Sequence, residues 1–197
     1  LYTGTLDEIE LMDNFSQLEK QAVLACSRIT LQFGGRVILE EVGCHVSKNE
    51  VLGIIGPNGA GKTSFLEVLS GRYTPVRGHV FLNGQDVSSR PIHKRAMLGL
   101  ARTFQTPVVP YAQTVYDVLK SARKAFKPYL SRYMAEWACD LVGLKVPKEM
   151  LAGALDTLDR RKLLLACLLM RRPSVLLLDE PASGLINVEI DEIDLII

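Results

Sequence analysis

An α/β fold built around a largely parallel sheet is predicted by three observations. Two short apolar runs, residues 51–55 and 175–178, are bounded by glycines or by charge, as buried strands are. A helical pattern runs on from the first and another leads into the second, and strands alternating with helices favour a parallel sheet. Between the first run and its helix stands a glycine-rich segment of the kind that cradles phosphate at a strand-to-helix turn.

The elements follow in order. Residues 1–26 carry five acids (Asp7, Glu8, Glu10, Asp13, Glu19) against one base, Lys20, and read as an extension or linker with room for one amphipathic helix. Residues 27–33 alternate apolar and polar side chains and break at Gly34-Gly35. Residues 37–46 form a second strand, and a polar turn at 47–50 leads to the 51–55 run. Lys62–Ser70 has helical spacing and stops at Gly71. Residues 78–82 with Asn83-Gly84 read as a hairpin. From 114 to 142 the pattern is helical, with breaks at Pro128 and Gly143, and 159–170 is another helix ending before Pro173.

Composition sets wide bounds. Apolar residues make up 48% and charged residues 23% of 197, and the formal net charge is +1, so no global attraction to nucleic acid or membrane is expected. Locally, residues 90–134 hold nine bases (Arg90, Lys94, Arg95, Arg102, Lys120, Arg123, Lys124, Lys127, Arg132) against Asp117. That stretch reads as a solvated face, or as a surface turned to lipid headgroups or a partner. Cys26, Cys44, Cys139 and Cys167 show no metal-ligand or redox-motif spacing and read as reduced thiols. The longest apolar run, 163–170, is far shorter than the ~20 residues of a membrane span, so a membrane link is expected to go through a partner. Leu1 in place of methionine, and Ile197 inside an apolar-acidic pattern, carry the expectation of a fragment.

The segment Gly56-Pro57-Asn58-Gly59-Ala60-Gly61-Lys62-Thr63 matches G-x-x-x-x-G-K-[ST] at every fixed position. Glycines let successive backbone N–H groups turn inward toward phosphate oxygens, and the next helix presents its positive end to the same anion. In such a loop the lysine, here Lys62, reaches the β- and γ-phosphates, and the hydroxyl of Thr63 ligates Mg2+. Ser64 follows in the same first turn and joins the nucleotide-binding set. Downstream, the 175–178 strand ends in Asp179-Glu180. Ligands of open α/β sheets bind beyond the carboxyl ends of strands, which puts Asp179 beside the phosphate loop to hold Mg2+ through water. Glu180 would polarise an attacking water as general base.

These motifs together resemble an ATP-binding-cassette (ABC) ATPase. The phrase Val51-Leu52-Gly53-Ile54-Ile55-Gly56-Pro57-Asn58-Gly59-Ala60-Gly61-Lys62-Thr63 is similar to the family's own, as is Leu177-Leu178-Asp179-Glu180-Pro181-Ala182-Ser183-Gly184-Leu185. Ala101-Arg102-Thr103-Phe104-Gln105 looks like its Q-loop, and Phe33-Gly34-Gly35 suits the subunits that power uptake of branched-chain amino acids and related polar solutes. The resemblance implies a P-loop NTPase of the ABC type over 27–197, with a mixed sheet core, a β subdomain and a helical subdomain near 106–154 that grips a permease. It further implies that Gln105 contacts Mg2+ or the attacking water and senses the permease. Phe33 would stack on adenine. ATP and Mg2+ are then the cofactors, and the expected partners are a second cassette, identical or not, and the permease subunits. The implied location is the cytoplasmic face of the membrane.

The sequence also departs from the family. Where the signature L-S-G-G-Q is due stands Leu155-Asp156-Thr157-Leu158-Asp159, of which the leucine alone matches. In the family's dimer that segment contacts the γ-phosphate bound to the other subunit, so Asp156 would set a carboxylate against a polyphosphate and Leu158 would add bulk. Ile186 replaces an acidic or amide residue, and no histidine follows Glu180 to act as the family's switch; a chain cut short before the last strands is the expected reason. An importer ATPase working as a dimer is the favoured reading. One alternative is a hydrolysis-poor regulatory cassette beside an active partner, motivated by Asp156, Leu158 and Ile186. Another is a soluble cassette protein acting on nucleic acid. Tyr111, Tyr116, Phe126, Tyr129 and Tyr133 do accompany the bases, but most are spaced as helix-core residues, and nucleic acid is not expected as a partner.

Overall fold

In the computed structural model, two long strands, β1 (Leu24–Phe33) and β2 (Arg36–Val46), pair antiparallel across a turn at Gly34 and Gly35. Both turn residues have positive φ, 52° and 83°, which glycine accepts without cost. The structure describes residues 22–194, apart from 107, 182 and the side chains of Val188 and Asp194. Most of the extension expected over 1–26 therefore lies outside the described residues. β1 itself begins at Leu24, and Leu24, Ala25 and Cys26 are all buried, so the strand starts earlier than the residue 27 read from its alternation.

The chain divides into two units, Leu1–Leu100 and Ala101–Ile197. In the first, β3 (Arg77–Leu82) pairs with β1, and β4 (Gln85–Asp86) pairs with β3 across Asn83-Gly84, giving the order β2-β1-β3-β4. Asn83 and Gly84 have φ of 50° and 75°, so the expected two-residue hairpin is present. All three pairings are antiparallel, whereas the parallel arrangement is expected for other segments, the apolar runs that alternate with helices. β1–β2 and β3–β4 are short-loop hairpins, which can only run antiparallel, and β3 comes to lie beside β1 through the longer connection that carries a helix.

That connection contains α1 (Lys62–Ser70), which buries Phe65, Leu66, Val68 and Leu69. It ends where expected: Gly71 is left-handed (φ 83°), its N–H donates to Val68 O at 3.1 Å, and Arg72 N–H donates to Glu67 O at 2.9 Å. The preceding run, 51–55, is not the buried strand its apolar sequence predicts. It has no regular structure, and Val51 and Ile55 are 83% and 97% exposed. A strand needs a neighbour for its N–H and C=O groups, and no described strand pairs with this one.

The short helix α2 (Ile92–Met97) carries Arg95, which is fully buried. Its guanidinium donates to Val68 O (2.9 Å) and Leu69 O (2.8 Å) in the last turn of α1, to Arg90 O (2.9 Å) and to Ser88 O (3.0 Å). Burial pushes its pKa down to about 10, still well above neutrality. The basic stretch is thus only partly a solvated face: Arg95 caps carbonyls inside the first unit, and Arg102 is buried as well.

The second unit pairs β5 (Leu100–Arg102) with β6 (Val175–Leu177). Around its core lie α3 (Val115–Arg123), α4 (Arg132–Leu141), α5 (Thr157–Leu169) and α6 (Asn187–Asp194). Thr114 caps α3 by accepting from Asp117 N–H at 3.1 Å and donating to the Asp117 carboxylate at 2.7 Å. The breaks expected at Pro128 and Gly143 fall between α3 and α4 and just past α4. Val115, Val118 and Leu119 of α3 meet Ala135, Ala138 and Cys139 of α4 and Leu163 and Ala166 of α5 in one cluster. Each fully buried leucine or valine contributes roughly 1.5–3 kcal/mol.

The aromatics of this unit are not the core residues their spacing predicts. Tyr111, Tyr116, Tyr129 and Tyr133 are exposed. Arginines and lysines cover several rings instead: Arg160 lies 5.4 Å from the Tyr111 ring, Lys120 and Arg132 each 5.7 Å from Tyr116, and Arg171 3.6 Å from Phe126. Small residues, Ala135 and Ala138, take the core-facing positions and leave the rings to the rim.

Candidate functional site

The phosphate loop begins at the half-buried Gly56 and ends in the first turn of α1. Gly59 and Gly61 are left-handed, with φ of 83° and 90°. At Gly61 a Cβ would also stand 3.0 Å from Leu39 Cδ2 and 3.2 Å from Ile38 O of β2, so a side chain there is strained by the backbone and tight against β2. The helix sets in at once, with Phe65 N–H donating to Gly61 O at 2.8 Å. Because Gly61 is the N-cap and supplies no capping side chain, the positive end of α1 is not neutralised by its own sequence. Lys62 Nζ folds back over the loop and donates to Gly56 O at 2.7 Å and Pro57 O at 2.9 Å. Two of its three N–H groups are so engaged. The exposed Asn58, Gly59, Ala60 and Thr63 and the half-buried Ser64 complete the segment. Main-chain N–H groups, one ammonium and a hydroxyl form a donor set that fits a polyphosphate with a hard cation.

Phe33 closes β1 at the Gly34-Gly35 turn and is 44% exposed. Its ring meets Tyr73 edge-on, with centroids 5.0 Å apart and planes at 73°. That contact fixes the ring while leaving it exposed surface, as a stacking platform requires.

In the second unit, β6 runs into Asp179 and Glu180, and the two acids have opposite environments. Asp179 is buried; Glu180 is exposed and left-handed, with φ of 47°. Such a conformation costs a non-glycine residue roughly 1–2 kcal/mol and here turns the chain sharply just past the strand. Arg102 Nη2 donates to Asp179 Oδ2 at 3.1 Å, with the two side chains 3% and 5% exposed. Asp179 N–H donates to Thr103 Oγ1 at 3.2 Å, and Thr103 N–H donates to Leu177 O at 2.9 Å. Gln105 Nε2 donates to Glu180 Oε2 at 2.7 Å. The structure thus brings together three of the residues singled out from the sequence, Gln105, Asp179 and Glu180. Arg102 and Thr103 were missed as members. They stand in the same five-residue phrase as Gln105, but nothing in its spacing reveals that a strand pairing sets them on the acids. Chemically, the arrangement offers a rigid carboxylate and, next to it, an exposed carboxylate whose orientation a glutamine controls.

The degenerate signature segment is occupied by its own helix. Asp156 is the N-cap of α5, and its Oδ1 accepts from Asp159 N–H at 2.7 Å. Burial, with the charge of Asp156 second, raises the pKa of Asp159. Arg160 donates to Gly153 O at 3.1 Å, and a Cβ at Gly153 would collide with Tyr111 at 2.8 Å. Ile186 is exposed, and its N–H donates to Glu189 Oε2 at 2.9 Å at the start of α6.

The glycine-rich loop that opens α1 and, in the second unit, the buried and exposed acids after β6 are each features of a nucleotide-binding P-loop ATPase. Residues 39–183 match the family described as ABC transporter, and the chain belongs to the ATP-binding subunits of that family, ATPases coupled to transport. It is 34% identical over 193 residues to the high-affinity branched-chain amino acid transport ATP-binding protein BraF of Pseudomonas aeruginosa, covering 89% of this chain and 75% of BraF. It is 29% identical over 179 residues to the lipopolysaccharide export system ATP-binding protein LptB of Haemophilus influenzae, covering 89% of this chain and 74% of LptB. Among solved structures it resembles the ADP conformation of MJ1267, an ATP-binding cassette of an ABC transporter, with a TM-score of 0.79 at 25% identity, over 89% of this chain and 75% of that one. No helix of the described residues is long and apolar enough to cross a membrane.

Proposed function

We propose that this cassette binds Mg-ATP through Gly56, Asn58, Gly59, Ala60, Gly61, Lys62, Thr63 and Ser64 and hydrolyses it to drive uptake of branched-chain amino acids or similar polar solutes. Its partners are a second cassette and a permease, and its place is the cytoplasmic face of the membrane. The solute class rests on likeness to BraF and to LivG of Escherichia coli K12, at 34% and 31% identity. The observation that carries the hydrolytic role is the Gln105–Glu180 hydrogen bond beside the Arg102–Asp179 pair.

In this reading Lys62 leaves the carbonyls of Gly56 and Pro57 for phosphate oxygens. Thr63 and Asp179 would hold Mg2+, which would neutralise charge on the phosphates, with Asp179 held still by Arg102. Glu180 orients the attacking water and accepts its proton. Gln105, which donates to Glu180, would contact the attacking water or Mg2+ once nucleotide is bound. Phe33 offers its ring to adenine. The test is ATP binding and turnover by the wild type beside Lys62→Ala and Glu180→Gln. Lys62→Ala should lose binding at least tenfold, equivalent to about 1.4 kcal/mol. Glu180→Gln should keep binding and lose turnover. Binding unchanged in Lys62→Ala sinks the assignment of the loop.

The capping role of Asp156 favours a second reading, a cassette whose signature segment serves a partner's ATP poorly. Its carboxylate takes the N–H group that an anion would use and repels that anion. Serine is an equally good N-cap without the charge, so Asp156→Ser should strengthen ATP-dependent dimerisation in sedimentation. No gain removes this second reading.

A further inference from the structure

Cys26 and Cys44 face one another in the β1–β2 ladder as register partners, and their Sγ atoms lie 3.6 Å apart. Their separation in sequence, 18 residues, hides this. Directly opposed residues of an antiparallel pair hold their Cα atoms about 4.5–5.5 Å apart, inside the range of about 4.4–6.8 Å that disulfides span. The sulfurs need to approach by about 1.5 Å to reach the bonded distance of about 2.05 Å. We propose that Cys26 and Cys44 are a redox-active dithiol, oxidised by peroxides to a cross-strand disulfide and restored by thiol reductants.

The chemistry divides between the two. Cys44 is half-exposed and Cys26 is buried, so a peroxide reaches Cys44 first. The hydrogen bond between Cys26 and Cys44 holds the Cys44 thiol below its ordinary range, against the opposing effect of burial. Burial has the opposite result at the other two cysteines: the pKa of Cys139 is raised, and that of Cys167 is pushed up to about 12. The Cys44 thiolate attacks the O–O bond of the peroxide. One oxygen leaves as water or alcohol, and the other remains as a sulfenic acid. The Cys26 sulfur then attacks the Cys44 sulfur, an S–S bond forms, and the second oxygen leaves as water. Two thiols lose two electrons and two protons to the peroxide, and a thiol reductant reverses the change by exchange.

The bond would tie strands already in register. Leu39 and Ile38, which a side chain at Gly61 would meet, lie five and six residues back along β2, about 17–20 Å at ~3.3 Å per residue. Nucleotide binding should therefore survive oxidation, while the hairpin is locked and Tm rises by about 5 °C or more.

The test treats the reduced full chain with hydrogen peroxide near neutral pH, alkylates it in denaturant and maps the peptides. Two of the four thiols should disappear, with the Cys26 and Cys44 peptides joined within one chain and separated again by dithiothreitol. In Cys26→Ser, dimedone should trap a sulfenic acid at Cys44. In Cys44→Ser, oxidation at Cys26 should be slower by about tenfold or more, the ratio set by thiolate fraction and access. Four alkylated thiols after peroxide, a bond to Cys139 or Cys167, or a bond between chains overturns the proposal. The wild-type map decides this by itself if either variant fails to fold.

Discussion

Lys62 already satisfies two of its N–H groups on the carbonyls of Gly56 and Pro57, so its loop is shaped around a cation before any ligand arrives. Gly61 adds a backbone constraint, since its φ of 90° strains any side chain and a methyl group there would stand 3.0 Å from Leu39. Gly61→Ala should cost about 1–2 kcal/mol from the left-handed backbone alone, with more from the contact with β2. Urea unfolding should show a lowered midpoint, and ATP affinity should fall with it; an unchanged midpoint would mean that the loop relaxes freely. At Asp156 the expected cost is that of a lost cap. Asp156→Ala should destabilise by about 1 kcal/mol and Asp156→Ser by much less, since serine accepts from the same N–H group. Equal losses in the two variants would deny the carboxylate its capping role.

Among elements, the two buried arginines do different jobs. Arg95 joins α2 to the last turn of α1 through backbone carbonyls, so it holds the helix whose other end begins in the phosphate loop. Arg95→Met keeps the volume but leaves those carbonyls without their donor, and should cost about 2–4 kcal/mol by thermal unfolding, with Arg95→Lys recovering only part. Arg102 joins β5 to the acid that follows β6. Arg102→Met takes the compensating charge from a buried carboxylate and should destabilise by about 3–5 kcal/mol. Both residues lie in a stretch that reads as a basic surface, because a count of charges along the chain does not register which ones fold inward. Here α2 and β5 do so.

For the whole molecule, ligand binding is the simplest lever on stability. With Mg-ATP at about a hundred times its Kd, the native state gains about 2.7 kcal/mol. A chain of this size shifts by about 2–4 °C per kcal/mol, so Tm should rise by about 5–10 °C. The rise should fall to about half or less in Lys62→Ala and persist in Glu180→Gln. A rise of the same size in Lys62→Ala would assign the nucleotide to some other part of the chain.

Local rules of glycine conformation, periodicity and capping make the helix Lys62–Ser70 with its stop at Gly71 and the Asn83-Gly84 hairpin legible in the sequence, while the class of protein is legible through the motifs around Gly56–Thr63 and Asp179-Glu180 that resemble a known family. Contacts between segments far apart in the chain set which acid is buried, bring Gln105 to Glu180 and Arg102 to Asp179, and place Cys26 opposite Cys44. It also set the exposure of residues 51–55, whose apolar sequence reads as interior. Strand register and burial depend on partners distant along the chain, and residue spacing carries no record of which partner a strand will take.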